Sequence, residues 1–171
     1  QAIVRSESGE EMLTTVNIIL SCGSSSASFP GLAPDGDAVL DSTGVLNLPE
    51  VPESLIIVGA GAIGLELGDF FGMMGSKITI VEAAPHIAPT EDADIAKEMD
   101  RVQSKAGRTC ITGVMAKSLV TKDGQAELTL GDGRVLTASK ALVAVGRTPN
   151  TAGLDCEKAG CTLKRRGFVD V

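Results

Sequence analysis

Residues 55–82 read LIIVGAGAIGLELGDFFGMMGSKITIVE, and this stretch decides the fold. It begins with an apolar, β-branched run at 55–58, which predicts one buried strand. Glycines follow at once in the spacing G-x-G-x-x-G, and helix-forming residues then continue until Gly75. A second β-branched run at 78–81 predicts another strand. The order of strand, glycine turn, helix and strand predicts a βαβ unit.

Each glycine of this fingerprint has a separate mechanical role. Gly59 permits the tight turn, Gly61 leaves room for a pyrophosphate to touch the backbone, and Gly64 lets helix and strand pack closely. The N–H groups at the helix start, including those of Ala62 and Ile63, attract phosphates together with the helix dipole. The stretch therefore predicts a dinucleotide site. The alternative is that the glycines serve only tight packing.

An acidic residue ends the second strand and bears on which nucleotide binds. Glu82 lies 23 positions beyond Gly59, where a carboxylate can accept hydrogen bonds from the adenosine ribose hydroxyls. The same carboxylate repels a 2′-phosphate, and no arginine occurs at 83–86 to receive one. The sequence therefore predicts NAD rather than NADP, bound by Glu82 and by its neighbour Ala83.

The composition argues against several classes of function. The chain has 22 acidic and 15 basic residues and a net charge of −7, which disfavours nucleic acid and anionic membranes as partners. No apolar run approaches the roughly 20 residues that span a bilayer. Four cysteines are too few for a disulfide scaffold and favour a reducing compartment, either the cytoplasm or, in a eukaryote, the mitochondrial matrix. Cys22 and Cys110 are expected to be inert packing residues. No cluster of metal ligands is visible in the sequence.

The segments around the fingerprint complete the predicted α/β fold. We expect a Rossmann-like parallel sheet with helices on one side and an antiparallel β-meander on the other. The N-terminal 20 residues predict two strands joined by a turn, the second running from Met12 to Leu20. An edge strand is predicted at 38–40, followed by a short helix capped by Ser42 and Thr43. A longer helix has Thr90 as its predicted N-cap and an apolar stripe at Ile95, Met99, Val102 and Ala106. Meander strands are predicted at 115–121, 125–130 and 134–137, and a buried strand at 141–145.

Three stretches together resemble the pyridine nucleotide–disulfide oxidoreductases, and most closely the dihydrolipoamide dehydrogenase branch of that family. Residues 17–24 resemble the strand that leaves the FAD domain, and residues 52–68 resemble the family's NAD fingerprint. Residues 144–150, AVGRTPN, resemble the segment that re-enters the FAD domain. The order and spacing match over nearly the whole chain, which makes the combination more specific than any one motif.

The resemblance implies a division of the chain into three parts. They are a remnant of an FAD domain with a crossover at 1–37, an NAD-binding domain at 38–146, and a return segment into the FAD domain at 147–171. The flanking parts then contribute short β remnants to the fold. By the same resemblance, the FAD fingerprint and the redox disulfide are expected before residue 1, and the dimerisation domain after residue 171.

The resemblance also implies an activity for the intact enzyme. Electrons would pass from dihydrolipoamide to the active disulfide, then to FAD, and then to NAD⁺. The partners implied are NAD(H), the FAD and dimerisation domains of the same chain, and a 2-oxo acid dehydrogenase complex. The fragment alone is expected to bind nucleotide without turnover, so no residue in it is expected to be catalytic.

Further site residues follow from the resemblance. Glu66 matches a helix glutamate near the nicotinamide end, with a purely structural carboxylate as the alternative, and Gly146 matches a backbone position beside the nucleotide. Ala62 is smaller than the family's usual residue there, which leaves the nicotinamide pocket more open. The Cys156–Cys161 pair has the spacing of the redox disulfide but lies after the NAD domain, so we expect no catalysis from it. His86 is expected to be a surface residue rather than a general base.

Two other functions remain open from the sequence. A sister flavoprotein of the same family, such as a mercuric reductase, an NADH oxidase or a transhydrogenase, would share this domain. From a different class, the chain could be a free-standing NAD-sensing module. The apolar strands expected at 16–20 and 168–171 count against such a module, because each would need a sheet to join.

Overall fold

All 171 residues are described in the computed structural model, in which the chain divides into two compact units. The larger unit comprises residues 25–148, and the smaller unit combines residues 1–24 with residues 149–171. No helix in the chain has both the length and the apolar character needed to cross a membrane. The parallel sheet and the candidate site both lie in the larger unit.

The strands and helices are numbered in chain order. The strands are β1 (Ala2–Ser6), β2 (Gly9–Leu13), β3 (Ser24–Ser26), β4 (Val39–Leu40), β5 (Ser54–Val58), β6 (Lys77–Val81), β7 (Thr109–Ile111), β8 (Ala116–Lys122), β9 (Gln125–Leu130), β10 (Val135–Ala138), β11 (Lys140–Val143) and β12 (Arg147–Pro149). The α-helices are α1 (Ser42–Leu46), α2 (Ala62–Met73) and α3 (Ala93–Lys105). Two 3₁₀ turns follow at Cys156–Ala159 and Arg165–Gly167.

A parallel sheet of five strands forms the centre of the larger unit. Its order is β4–β11–β5–β6–β7, and the fingerprint strand β5 pairs with β11 on one side and β6 on the other. The strands β8, β9 and β10 form a separate antiparallel meander. The turn between β8 and β9 has positive φ at both Asp123 and Gly124, as a two-residue hairpin requires.

Alternate residues of β5 pack on opposite faces of the sheet. Ile56 and Val58 belong to the core shared with the meander, whereas Leu55 and Ile57 belong to the core shared with the helices. Because successive side chains of a strand point to opposite faces, a strand buried on both sides reads as a continuous apolar run. The predicted fold, with helices on one face and the meander on the other, is confirmed.

Two helix starts and one helix face differ from the prediction. The N-cap of α1 is Asp41, whose Oδ1 accepts a hydrogen bond from Gly44 N at 2.8 Å, and the N-cap of α3 is Asp92 rather than Thr90. The predicted stripe on α3 is right at Met99 and wrong at its other three positions, since Ile95, Val102 and Ala106 are exposed. The inward face is formed by Ala96, Met99 and Gln103. Gln103 Oε1 accepts a hydrogen bond from the buried Arg108 guanidinium at 2.9 Å. The inward face is thus displaced by one residue, to Ala96 and Gln103, from the predicted Ile95 and Val102.

The smaller unit contains a hairpin and a short C-terminal segment. In the hairpin, β1 pairs with β2 from Ala2 opposite Leu13 to Ser6 opposite Gly9. The second strand was expected to run from Met12 to Leu20, but it ends at Leu13, and residues 14–20 form no strand. That prediction is wrong because no described strand pairs with 16–20, and a β-branched run without a partner strand gains no ladder hydrogen bonds.

Candidate nucleotide-binding site

A cavity of about 450 Å³ opens at the carboxyl ends of β5, β6 and β11. In parallel α/β sheets this edge is where ligands bind. Five of the residues predicted from the sequence line its wall, namely Gly59, Gly61, Glu82, Ala83 and Gly146. The other four predicted residues, Ala62, Ile63, Gly64 and Glu66, lie on α2 outside this wall.

The three fingerprint glycines have different surroundings. Gly59 has a φ of 105°, and a Cβ there would collide with the carbonyl oxygen of Ala144 at the end of β11. A Cβ on Gly64 would collide with the carbonyl oxygen of Gly59. Around Gly61, in contrast, no atom lies within 4 Å of a Cβ position. Packing alone accounts for Gly59 and Gly64, whereas Gly61 faces open space at the cavity wall.

The start of α2 offers main-chain donors beside this open space. Gly61 is the N-cap, and no side chain caps the helix. The first bond of the helix runs from Leu65 N to the carbonyl oxygen of Gly61 at 3.0 Å. The N–H groups of Ala62, Ile63 and Gly64 precede that bond, so they have no partner within the helix. Together with the helix dipole, they suit a phosphate group.

Glu82 follows β6 and is half-buried at the cavity wall. Its Oε2 accepts a hydrogen bond from Ala60 N at 2.8 Å, and its Oε1 accepts one from Ala84 N at 2.8 Å. An ionised carboxylate has about four lone-pair sites, so each oxygen retains capacity for another donor. The carboxylate is therefore placed to accept hydroxyl donors from a ligand in the cavity.

The rest of the wall is largely apolar and was not predicted. It comprises Phe29, Leu32, Val58, Val81, Pro89, Thr90, Val114, Met115, Ala116, Ala144 and Val145. Val114 and Met115 follow β7 as Glu82 follows β6, so the rule that sites form at the carboxyl ends of strands could have found them. Phe29 and Leu32 come from the segment before β4, where no local sequence signal indicates a site.

The remaining candidate residues lie outside the cavity wall. Cys156 is buried, Cys161 is exposed, and both are free thiols in the smaller unit. His86 is half-buried, with Nδ1 2.9 Å from the carbonyl oxygen of Ile87. No group of three or more metal-ligating side chains occurs in the 171 residues.

The two cysteines expected to be packing residues differ from each other. Cys22 is exposed, so that expectation is wrong for Cys22. Cys110 is half-buried in β7, where burial and the nearby Asp100 carboxylate raise the pKa of its thiol, against a smaller opposing effect of Arg108. A thiol with a raised pKa is a poor nucleophile, which suits a packing role.

Comparison with known proteins identifies the family. The family model described as pyridine nucleotide-disulphide oxidoreductase matches residues 1–171. Dihydrolipoyl dehydrogenase 3 of Pseudomonas putida is 34% identical over 99% of this chain, which covers 38% of that protein. The mitochondrial dihydrolipoyl dehydrogenase of Homo sapiens is 34% identical over 98% of the chain, which covers 34% of that protein.

Solved structures give the same result. The copper complex of the HOCl-induced flavoprotein disulfide reductase RclA from Escherichia coli matches with a TM-score of 0.82 and 32% identity. That match covers 99% of this chain and 38% of the reductase. The chain thus spans a little over a third of the length of these relatives. The chain belongs to the pyridine nucleotide–disulphide oxidoreductase family, whose members use FAD and NAD(H).

Proposed function

We propose that this chain is the NAD-binding part of a dihydrolipoamide dehydrogenase-like flavoenzyme. One observation carries the proposal. The cavity at the strand ends combines a half-buried carboxylate at Glu82 with open space in front of Gly61. A dinucleotide needs both features, because its pyrophosphate must approach the backbone while its ribose needs an acceptor.

The residues at and beside the cavity suit each part of NAD(H) in turn. The pyrophosphate would lie against Gly61 and accept hydrogen bonds from the N–H groups of Ala62 and Ile63. The adenosine ribose hydroxyls would donate to Glu82, with Ala83 beside them, and the apolar wall suits a flat base. Glu66 and Gly146 are proposed as contacts at the nicotinamide end and beside the nucleotide. The negative charge of Glu82 disfavours the 2′-phosphate of NADP.

In the intact enzyme we propose oxidation of dihydrolipoamide with reduction of NAD⁺. FAD would carry electrons between the redox disulfide and the nicotinamide, and this chain would hold the nicotinamide nucleotide in position. Residues 1–37 and 147–171 are proposed to belong to, or connect with, the FAD domain. The exposed apolar residues Val16, Ile18, Ile19 and Leu20 support this assignment, because a contiguous exposed apolar run is typical of a surface that another element covers. A 2-oxo acid dehydrogenase complex is the proposed partner.

Titration with NADH and NADPH tests the nucleotide assignment. Nucleotide fluorescence is a clean signal here because the chain has no Trp or Tyr. We expect NADH to bind more tightly than NADPH, and we expect Glu82→Gln to reduce this preference by at least about tenfold, the effect of losing a charge-assisted hydrogen bond. Glu53→Gln is a matched control, because Glu53 is exposed and lies just before β5, at the opposite end of that strand. Equal binding of both nucleotides by the wild-type chain would contradict the assignment.

A turnover assay tests the proposal that this chain binds the nucleotide without catalysing the reaction. The purified chain, supplied with dihydrolipoamide and NAD⁺, is expected to form no NADH above the uncatalysed rate. The physical reason is that catalysis is assigned to the disulfide and FAD, and this chain is assigned only the positioning of the nucleotide. Measurable turnover by the 171-residue chain would contradict the proposal.

A further inference from the structure

The carboxylate of Glu82 is held by two main-chain donors from different turns. Ala60, which donates to Oε2, lies between the first two fingerprint glycines on the turn from β5 to α2. Ala84, which donates to Oε1, lies in the loop after β6. Both distances are 2.8 Å, which is typical of a hydrogen bond to a charged acceptor. One side chain therefore cross-links the two turns that border the cavity.

The turn from β5 to α2 has no polar side chain of its own that could stabilise it. Residues 59–64 are only glycine, alanine and isoleucine. Ala60 is fully buried, and its carbonyl oxygen accepts a hydrogen bond from Ala88 N at 2.9 Å, while its own N–H donates to Glu82. The segment 82–88 thus holds Ala60 from both sides. Without the carboxylate, the Ala60 N–H would be buried without a partner, which folded proteins rarely tolerate.

We infer that Glu82 is a positioning residue for the pyrophosphate-binding turn, in addition to any contact it makes with the ribose. The cross-link sets the shape of the main chain around Gly59 and Gly61 before a nucleotide binds. Because each carboxylate oxygen keeps a second lone pair, ribose hydroxyls can donate to Glu82 without displacing Ala60 or Ala84. The identity of the ligand rests on the proposed function, whereas the cross-link itself needs no ligand.

Amide hydrogen exchange on the chain without nucleotide tests the cross-link directly. Glu82→Ala removes both acceptors, and Glu82→Gln leaves one oxygen where two are used. We expect the amides of Ala60 and Ala84 to exchange faster by about tenfold or more in Glu82→Ala, and one of the two to do so in Glu82→Gln. The amides of Ile56 and Ile57 in β5 should keep their wild-type rates, and Glu53→Gln should change none of the four.

Two exchange results would overturn the inference. Unchanged exchange at Ala60 in both Glu82 variants would mean that the turn holds its shape without the carboxylate. Equal acceleration at Ala60 and in β5 would mean that Glu82 stabilises the fold as a whole rather than the turn.

The affinity for inorganic pyrophosphate separates the two roles of Glu82, because pyrophosphate has no ribose. If Glu82 positions the turn, Glu82→Gln should weaken pyrophosphate binding several-fold, although the variant removes a negative charge near the anion. If Glu82 acts only through the ribose, the lost repulsion should leave this affinity unchanged or increase it, which would overturn the inference. Failure of the wild-type chain to bind NADH would instead count against the proposed function, and the exchange result would still decide the cross-link.

Discussion

The two units of the chain place similar side chains in opposite environments. In the larger unit, Ile57 of β5 is 0% exposed, with strands on both edges of β5 and packed layers on both faces of the sheet. In the smaller unit, Ile3 of β1 is 56% exposed, Val16 is 96% exposed, and Cys156 is the only buried residue. An apolar, β-branched run therefore becomes a buried strand only where other elements cover it. The sequence pattern is the same in both cases, and the packing differs.

The largest expected effect is on the free energy of unfolding. Ile57→Ala should destabilise the chain by about 2–5 kcal/mol, because it leaves a cavity between the sheet and the helices. Ile19→Ala makes the same chemical change at a residue that is 89% exposed, and it should change stability by less than about 0.5 kcal/mol. Urea unfolding followed by circular dichroism measures both variants.

One result would contradict this difference in exposure between the two units. A loss of more than about 1 kcal/mol in Ile19→Ala, which is larger than exposed sites usually show, would mean that residues 14–20 are packed in solution. The smaller unit would then have a core of its own, contrary to the exposure of its apolar residues in the structure.

The next largest effect distinguishes the packing role of Gly64 from the proposed binding role of Gly61. Gly64→Ala should destabilise the chain by about 1–3 kcal/mol, because the new methyl group meets the main chain of Gly59. Gly61→Ala should fold with nearly wild-type stability, since its φ of −77° suits alanine and nothing lies within 4 Å. Its NADH affinity should nevertheless fall by at least about tenfold, because the methyl group occupies the space assigned to the pyrophosphate.

Thermal unfolding and NADH titration of the same two proteins provide the check. Retained NADH affinity in Gly61→Ala would place the pyrophosphate elsewhere. Wild-type stability in Gly64→Ala would mean that the turn from β5 to α2 can open without cost.

The fold of the larger unit could be predicted because its local and long-range signals agree. The run at 55–58, the glycine spacing and the hairpin turn at Asp123 each specify one local geometry, and the sheet satisfies all of them at once. The segment 16–20 has the same strand-like composition but lacks a partner strand, which no local pattern can reveal. On α3, the apolar pattern does not reveal that Gln103 faces inward and accepts a hydrogen bond from the buried Arg108.

The candidate site could be predicted where it coincides with the fingerprint and, through the family resemblance, at Gly146. The residues Gly59, Gly61 and Glu82 follow from spacing along the chain, and they line the cavity. Phe29 lies 30 positions before Gly59 and reaches the same wall only through the tertiary fold. The hydrogen bond between Glu82 and Ala60 was also beyond sequence reasoning, because it depends on the distance between two turns rather than on residue type.

A smaller contrast between the units concerns thiol reactivity. Cys22 and Cys161 of the smaller unit are exposed, whereas burial and Asp100 raise the pKa of the Cys110 thiol in the larger unit. Because the thiolate is the reactive form, Cys110 should react several-fold more slowly than the two exposed cysteines near pH 8. Labelling with iodoacetamide, followed by peptide mass spectrometry, gives the rate at each site. Asp100→Asn should accelerate Cys110 and leave Cys22 unchanged, and the lack of any such acceleration would contradict the role given to Asp100.

The smallest expected effect lies in the acid stability of the larger unit. Burial acts to raise the pKa of Asp35, but a hydrogen bond from Thr121 Oγ1 at 2.5 Å and two main-chain N–H donors outweigh it and lower the pKa below 3.8. Those N–H groups belong to Asp37 and Val39, at 2.9 and 3.0 Å, so the carboxylate ties the segment before β4 to β8. Since the folded-state pKa is the lower one, this stabilisation is complete above pH 3.8 and is lost as the pH falls through the folded-state value.

Unfolding free energies at pH 7 and pH 3 measure this contribution from Asp35. Asp35→Asn should lower stability at pH 7 by less than about 1 kcal/mol, because solvent screens the exposed carboxylate, and the difference from wild type should shrink at pH 3. Thr121→Val keeps the shape of the side chain but removes both the donor to Asp35 and the acceptor for Ala38 N at 3.2 Å, so it should lower stability at pH 7 as well. A deficit in Asp35→Asn that stays constant between the two pH values would mean that the carboxylate contributes through its shape and not through its charge. The segment before β4, which carries Phe29 to the cavity, would then be held to the meander by packing and by main-chain contacts such as the hydrogen bond from Leu119 N to the carbonyl oxygen of Gly31 at 2.8 Å.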